Sequence, residues 1–262
     1  MRSGWLKILF FAAVLSLACT TKVSEWFLLN AVPDKYLLAF FSNGDVSEKM
    51  IQQNDELMNI ADISNMLFRT MQKDDVKEPF YALYYNNRLL SEYRSYDSLR
   101  SVFSSPLRKK ISGELMEGQL CVMLCLKTGI PEKDEKRMEI IFNTVSSSPF
   151  RKVITIVELD RNSTEEKDFV SMLLHVESDL KEINEPMLFG IFGRFRALEP
   201  LLANGISADN INLMIDFLTA DCSCLIKDNL PGMSILTDFS WENPKPALVN
   251  RILDENPHLM HH

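Results

Sequence analysis

The sequence has little of what most catalytic sites require. It contains five cysteines and four histidines, and every histidine except His175 lies within the last five residues. A zinc site needs about four protein ligands, so this lone histidine cannot build one. We find no glycine-rich phosphate loop, no Ser-His-Asp arrangement and no nucleic-acid-binding signature. The sequence therefore predicts no cofactor and favours no metal site.

Positive charge is also scarce. The 262 residues carry a formal net charge of −8, with 36 acidic and 28 basic side chains. An acidic surface argues against nucleic acid and against anionic lipid as direct partners. The chain is 46% hydrophobic, so it can bury a core. Its length allows one large domain or two small ones.

The first 18 residues have the three parts of a secretory signal. Arg2 and Lys7 form a basic start, and an apolar run follows over residues 8–17. This run is shorter than the roughly 20 apolar residues that span a bilayer. We therefore predict a signal peptide over 1–18 and export to the periplasm or outer envelope.

The end of this signal resembles the lipid-attachment site of bacterial lipoproteins. Ala18 comes directly before Cys19, although Ser16 stands where a branched aliphatic residue is usual. The sequence predicts a lipid on Cys19 that holds the protein to a membrane, followed by a linker over 19–32. Plain secretion and an uncleaved anchor are the alternatives.

Beyond residue 32 the pattern alternates between strands and helices. Short apolar runs typical of strands occur at 35–41, 65–71, 80–85, 89–93, 120–126, 152–159, 187–192 and 197–202. Helical patterns cover 47–60, a segment from Ser98 toward Pro106, 107–116, 131–145, 164–176 and 207–219. Such alternation predicts an α/β protein with mixed sheets flanked by helices.

The pattern also occurs twice. Glu78-Pro79 and Glu185-Pro186 each lie seven residues before a two-residue turn, and a serine that begins a helix follows each turn. This correspondence suggests an internal duplication, although coincidence is the alternative.

The order of strand, helix, strand, proline, hairpin and final helix resembles the thioredoxin fold, in which a cis-proline introduces the third strand. The resemblance implies tandem thioredoxin-like domains over 33–118 and 119–240, with a tail over 241–262. A working thioredoxin carries Cys-x-x-Cys after its first strand, where a helix N-terminus activates the thiol. The corresponding loops here are 42–45 and 127–131, and neither contains cysteine. Both domains are therefore expected to be degenerate.

The C-terminal half also resembles a group of uncharacterised exported bacterial proteins. The shared motifs stand here as Phe192-Gly193-Arg194-Phe195-Arg196-Ala197-Leu198 and Cys222-Ser223-Cys224. The resemblance supports the fold and export but implies no reaction. Phe195 occupies a position where glycine is expected, so a role that needs close approach of the backbone is not expected there.

The remaining cysteines have two different settings. Cys121 and Cys125 are about 13 Å apart in a strand, too far for a disulfide, and are expected to be buried thiols. Cys222 and Cys224 could form a structural disulfide or pack as thiols, exchange disulfides, or bind a soft ion such as Cu(I).

The sequence as a whole favours a non-catalytic binding or scaffold module with a protein or peptide partner in the envelope. Pro79 and Pro186 would border a groove that holds an extended segment, and Arg194 and Arg196 could grip an anionic partner. The alternatives use Cys222 and Cys224, either as a catalytic pair for thiol-disulfide exchange or as a copper carrier.

Overall fold

A computed structural model describes residues 21–223, 226, 230–237, 250 and 254. The predicted signal peptide, Cys19, Cys224 and all but two residues of the predicted tail lie outside the described part of the chain.

The two halves of the chain contain similar elements in the same order. The first half has α1 (Val23–Asn30), β1 (Tyr36–Ser42), α2 (Glu48–Asp62), β2 (Met66–Gln72), β3 (Phe80–Tyr85), β4 (Arg88–Tyr93), a 3-10 turn (Tyr96–Leu99), α3 (Arg100–Phe103) and α4 (Pro106–Met116). The second half has β5 (Cys121–Lys127), α5 (Pro131–Ser147), β6 (Ile154–Asp160), α6 (Lys167–Leu173), a 3-10 turn (Leu180–Glu182), β7 (Met187–Phe192), β8 (Arg196–Ala197), β9 (Leu201–Leu202), a 3-10 turn (Ala203–Gly205), α7 (Ala208–Thr219) and β10 (Met233–Ser234).

These strands form two separate mixed sheets. The first sheet has the order β2-β1-β3-β4, and the second has the order β10-β8-β7-β5-β6 with β9 also paired to β7. In each sheet the first two strands are parallel and the third runs antiparallel to the first. The predicted fold class is confirmed: the protein is α/β, with the two helix-flanked mixed sheets of tandem thioredoxin-like domains.

The pairing register is the same in both sheets. Tyr36 pairs with Tyr85 at one end of β1, and the corresponding residues Cys121 and Phe192 pair at the same end of β5. The parallel partner of Tyr36 is Met66, the first residue of β2, and the partner of Cys121 is the first residue of β6. Because the register agrees pair for pair, each residue of β1 has a defined equivalent in β5.

Local sequence explains most of the elements. Ser47, Ser105 and Ser207 accept a hydrogen bond from a backbone N–H in the first turn of α2, α4 and α7, which stabilises each helix start. Asn86 and Asn87 both have positive φ (47° and 62°), the conformation of the predicted two-residue hairpin turn.

The described part of the predicted linker, residues 21–32, is instead largely helical. Within α1, Val23 and Phe27 are buried, and the Phe27 ring lies 4.9 Å from the ring of Phe192 on β7. The Ser24 hydroxyl donates to the carbonyl of Leu218 at 2.8 Å. Apolar residues four apart therefore fold this segment onto the second half.

The predicted return strand over 197–202 is also different. It is split into β8 and β9, because Pro200 lies between them and offers no backbone N–H to a neighbouring strand.

The two halves share one hydrophobic core. The inner face of the first sheet, with Tyr36, Leu38 and Phe40, belongs to the same buried cluster as Val122 and Leu124 of the second sheet. Polar contacts also cross between the halves. The Tyr93 hydroxyl donates to Asp168 at 2.6 Å, and the Leu107 N–H donates to Glu166 at 2.8 Å. The halves therefore pack as one body.

Candidate functional site

The loops that would carry thioredoxin chemistry contain no sulfur. In the second half, the Asp134 carboxylate accepts hydrogen bonds from the Thr128 N–H and the Gly129 N–H, both at 2.9 Å. In the first half, Asn43 accepts a hydrogen bond from the N–H of Asp45 in the corresponding loop. Side-chain oxygens of the chain therefore organise both loops.

Cys121 and Cys125 are fully buried, as predicted, on the face of the second sheet that meets α5 and α7. Burial raises the pKa of each thiol from 9.0 to about 12. Both sulfurs are thus protonated near neutral pH and cannot act as nucleophiles there.

Cys222 is buried at the end of α7, with its sulfur 3.9 Å from the carbonyl oxygen of Ser223. Its backbone N–H donates to the carbonyl of Thr21 at 2.9 Å. Cys224 lies outside the described residues, so the exchange and copper hypotheses for the pair stay predictions.

Pro79 and Pro186 occupy equivalent positions, each directly before the third strand of its sheet. No peptide bond is cis among the described residues, in contrast to the cis-proline of the thioredoxin resemblance. Pro186 is buried, and its carbonyl accepts the N–H of Ala203 at 3.0 Å, while the adjacent Glu185 pairs with Lys133 at 2.6 Å. The proline edge of the second half is therefore already occupied by the chain itself.

The structure shows Arg194 and Arg196 in hydrogen bonds within the chain, and the expectation that they grip an anionic partner stays a prediction. Arg194 donates to the carbonyls of Leu28 and Leu29 at 2.6 and 2.9 Å and so caps the C-terminal end of α1. Arg196 is 6% exposed and forms an ion pair with Asp34 at 3.0 Å.

The other bonds of Arg196 are also internal. It donates to the carbonyls of Pro231 and Gly232 at 2.6 and 2.8 Å and to the Ser234 hydroxyl at 3.0 Å. Both arginines hold parts of the chain together by donating to main-chain carbonyl oxygens that need hydrogen-bond donors.

The rest of this hairpin motif is structural as well. A Cβ atom at Gly193 would lie 2.5 Å from Cβ of Phe27, so only glycine allows α1 to approach. Phe195 has a positive φ of 57° and is fully buried, with its ring 5.8 Å from that of Phe169. Packing of the buried Phe195 ring offsets the energetic cost of this positive φ, a backbone conformation that glycine adopts more easily.

The clearest open surface lies on the outer face of the first sheet. There a groove of about 680 Å³ runs over β1, β2 and the hairpin turn. We call this surface the outer groove; it is lined by Lys35, Leu37, Ala39, Phe41, Leu67, Arg69, Met71, Lys73, Tyr84, Asn86 and Asn87. Leu67 and Met71 are 45% and 37% exposed, and together with Leu37 they give the groove an apolar surface.

The outer groove is open because the first half has no helix between its second and third strands. Seven residues, 73–79, connect β2 to β3, whereas 26 residues, 161–186, connect β6 to β7 and include α6. In the second half, side chains of α6 share a buried cluster with Val122 and Leu124. The equivalents of those residues in the first half are Leu37 and Ala39, which line the groove.

The charged residues of the outer groove are all cations. Lys35, Arg69 and Lys73 line it, and no aspartate or glutamate is among its described lining residues. None of the three cations forms an ion pair with a described residue. The Lys73 ammonium lies 5.0 Å from the centroid of the Phe41 ring, at one end of the groove.

A second depression of about 570 Å³ adjoins the groove and shares Phe41, Lys73 and Tyr84 with it. Glu78 and Phe80, the neighbours of Pro79, line this depression, so the proline edge of the first half is open. Sequence reasoning identified this proline but missed the sheet face beside it. The short connection over 73–79 could have indicated this open face, because seven residues leave no room for a covering helix.

No protein-family model matches the chain, and no curated protein matches it. Within the described residues, no helix is both long and apolar enough to cross a membrane. Among the same residues, no group of three His, Cys, Asp or Glu side chains is placed to hold a metal ion.

Proposed function

We propose that this chain is an exported envelope protein that works as a non-catalytic, thioredoxin-like binding module, with the outer groove as its ligand surface. Export is supported by the basic and apolar N-terminal sequence that ends at Cys19.

The lack of cysteine at the two thioredoxin loops supports binding rather than turnover. Thiol exchange needs an accessible thiolate, but the two loops after β1 and β5 lack cysteine. The thiols of Cys121 and Cys125 are buried and have a pKa of about 12.

The observation that carries the proposal is the outer groove itself. A sheet normally buries its apolar face against another layer. Here Leu37, Leu67 and Met71 face an open groove of about 680 Å³. An apolar surface with polar groups at a few positions is the usual form of a binding site.

Anilinonaphthalene sulfonate tests this surface, because the probe combines an aromatic body with one anionic group. We expect saturable binding to the folded protein that is lost in the double variant Leu67→Gln/Met71→Gln. The matched control is Leu213→Gln/Phe142→Gln, which changes two exposed apolar residues of the second half (65% and 61% exposed). Near-ultraviolet circular dichroism confirms that each variant is folded. Equal loss of binding in both double variants would contradict the assignment of the ligand surface.

A disulfide-reduction assay tests the non-catalytic part of the proposal. With insulin as substrate and dithiothreitol as electron donor, we expect the protein to add nothing to the background rate. Turnover that disappears in Cys222→Ser/Cys224→Ser would show an exchange enzyme instead.

Fatty-acid labelling in a bacterial host tests the anchor. We expect incorporation of labelled palmitate into the full chain and none into Cys19→Ser. Export of both forms without label would show plain secretion.

A further inference from the structure

The outer groove has a structural counterpart inside the same chain. In the second half the equivalent sheet face is buried, and Phe169 and Leu173 of α6 belong to the cluster that includes Val122 and Leu124. The first half has the same strands in the same register but only seven residues between β2 and β3. Seven residues reach at most about 25 Å when fully extended, so they cannot return along the sheet as a helix and still join the strands.

The dimensions of the exposed face suit a helix. The groove extends over β1, β2 and β3, and three adjacent strands are about 10 Å across. A helix with its side chains has a similar diameter, about 10 Å. A single acyl chain is thinner and is normally enclosed on more sides, so an open face three strands wide favours a helix.

The cations of the outer groove favour an acidic partner helix over a basic one. Arg69 on β2 and Lys73 directly after the end of β2 are four residues apart, which places them about 13 Å apart along one side of the face. Lys35 lies directly before β1. These cations lack ion-pair partners among the described residues, although the whole chain has a net charge of −8. Carboxylates spaced over two to three helical turns would pair with this side, while a basic helix would be repelled.

We infer that the outer groove binds an amphipathic helix of a partner protein, with an apolar stripe on Leu37, Leu67 and Met71 and acidic residues beside Arg69 and Lys73. The partner helix takes the place that α6 fills in the second half. This inference rests on the proposed function, since it names the ligand class of the same groove.

The test uses three synthetic peptides of about 14 residues, or four helical turns. All carry the same leucine and alanine stripe, and their flanking positions carry glutamate, glutamine or lysine. Binding to the full chain is measured by fluorescence anisotropy. We expect the glutamate peptide to bind about tenfold more tightly than the lysine peptide at low salt, with a smaller ratio at about 1 M salt.

The variant Arg69→Glu/Lys73→Glu should reverse this preference and favour the lysine peptide. The matched control Lys136→Glu/Arg137→Glu changes two basic residues on α5, away from the groove, and should leave the preference unchanged. An acidic extended peptide that contains proline should bind more weakly than the helical one.

Other occupants give distinct results, and each would overturn the inference. Equal binding of the glutamate and lysine peptides would overturn the preference for acidic residues. Binding of neither peptide, while anilinonaphthalene sulfonate still binds, would overturn the helix as ligand. Both results leave the proposed function standing. Stronger binding to phosphatidylglycerol vesicles than to any peptide would indicate a membrane surface. Self-association that Met71→Asp abolishes would indicate a second copy of the chain. Peptide binding that requires removal of the residues after Thr237 would indicate a segment of the chain itself.

Discussion

The two halves of the molecule have the same strands in the same register, yet only one of them has both sheet faces covered. In the second half, α5 and α7 cover one face, and α6 together with the first half covers the other. In the first half, α2 and α4 cover the inner face, while the outer face stays open over the groove. A difference of one connecting segment, 73–79 against 161–186, therefore accompanies the change from a buried sheet face to an open one.

The equivalent residues Val122 and Leu37 give the largest expected contrast. Val122 is fully buried, so Val122→Asp places an unpaired charge in the core and should cost about 4 kcal/mol or more. Leu37 lines the open groove, so Leu37→Asp should cost about 1 kcal/mol. The midpoint of urea unfolding measures both. Similar losses for the two variants would show that the outer face is covered.

The next effect concerns the contact between the halves. Arg196→Met removes the ion pair with Asp34 and leaves carbonyls near Pro231 without a donor. We expect a loss of about 3 kcal/mol in the free energy of unfolding, because one partner of a mostly buried pair remains. Arg69→Met should change the same quantity by no more than about 0.5 kcal/mol. A loss of that small size for Arg196→Met as well would contradict the structural role assigned to this arginine.

High pH should weaken the folded state in part through the two buried thiols of the second half. The folded-state pKa of the Cys121 and Cys125 thiols is raised from 9.0 to about 12 by burial, so the unfolded chain releases these protons first. The stability that the two buried, neutral thiols contribute to the free energy of unfolding is therefore complete below about pH 9 and declines as pH rises toward 12. At about pH 10 the loss is about 1.4 kcal/mol for each thiol. Urea unfolding of Cys125→Ala at pH 8 and pH 10 should show a correspondingly smaller decline, and an unchanged decline would place the thiol in water.

The smallest effect on stability is expected in the groove. Leu67→Gln/Met71→Gln should lower the free energy of unfolding by no more than about 0.5 kcal/mol per residue, since the two residues are already 45% and 37% exposed. A loss of several kcal/mol, measured by urea unfolding, would show that these side chains support the core.

Much of the architecture could be predicted from the sequence, because strand and helix patterns depend on local spacing. The apolar run that became β1, the Asn86-Asn87 turn and the serine helix caps are all local features. The prolines at 79 and 186 also marked equivalent strands correctly, since proline is tolerated where a strand begins.

The roles of individual residues could not be predicted in the same way. Arg194 and Arg196 stand in a turn, where arginine is usually solvated, but the structure brings the carbonyls of Leu28 and Pro231 to them from distant parts of the chain. The helix α1 escaped prediction because its apolar residues gain their burial from distant parts of the chain, among them β7 and α7.

The sequence by itself determined the α/β alternation, the duplication of its elements and the absence of cysteine from both thioredoxin loops, because these follow from residue identity and short-range spacing. Only the tertiary structure decided which arginines are buried and which sheet face is open. Those outcomes depend on which distant segments meet, and burial is a property of the contacts made by the whole chain.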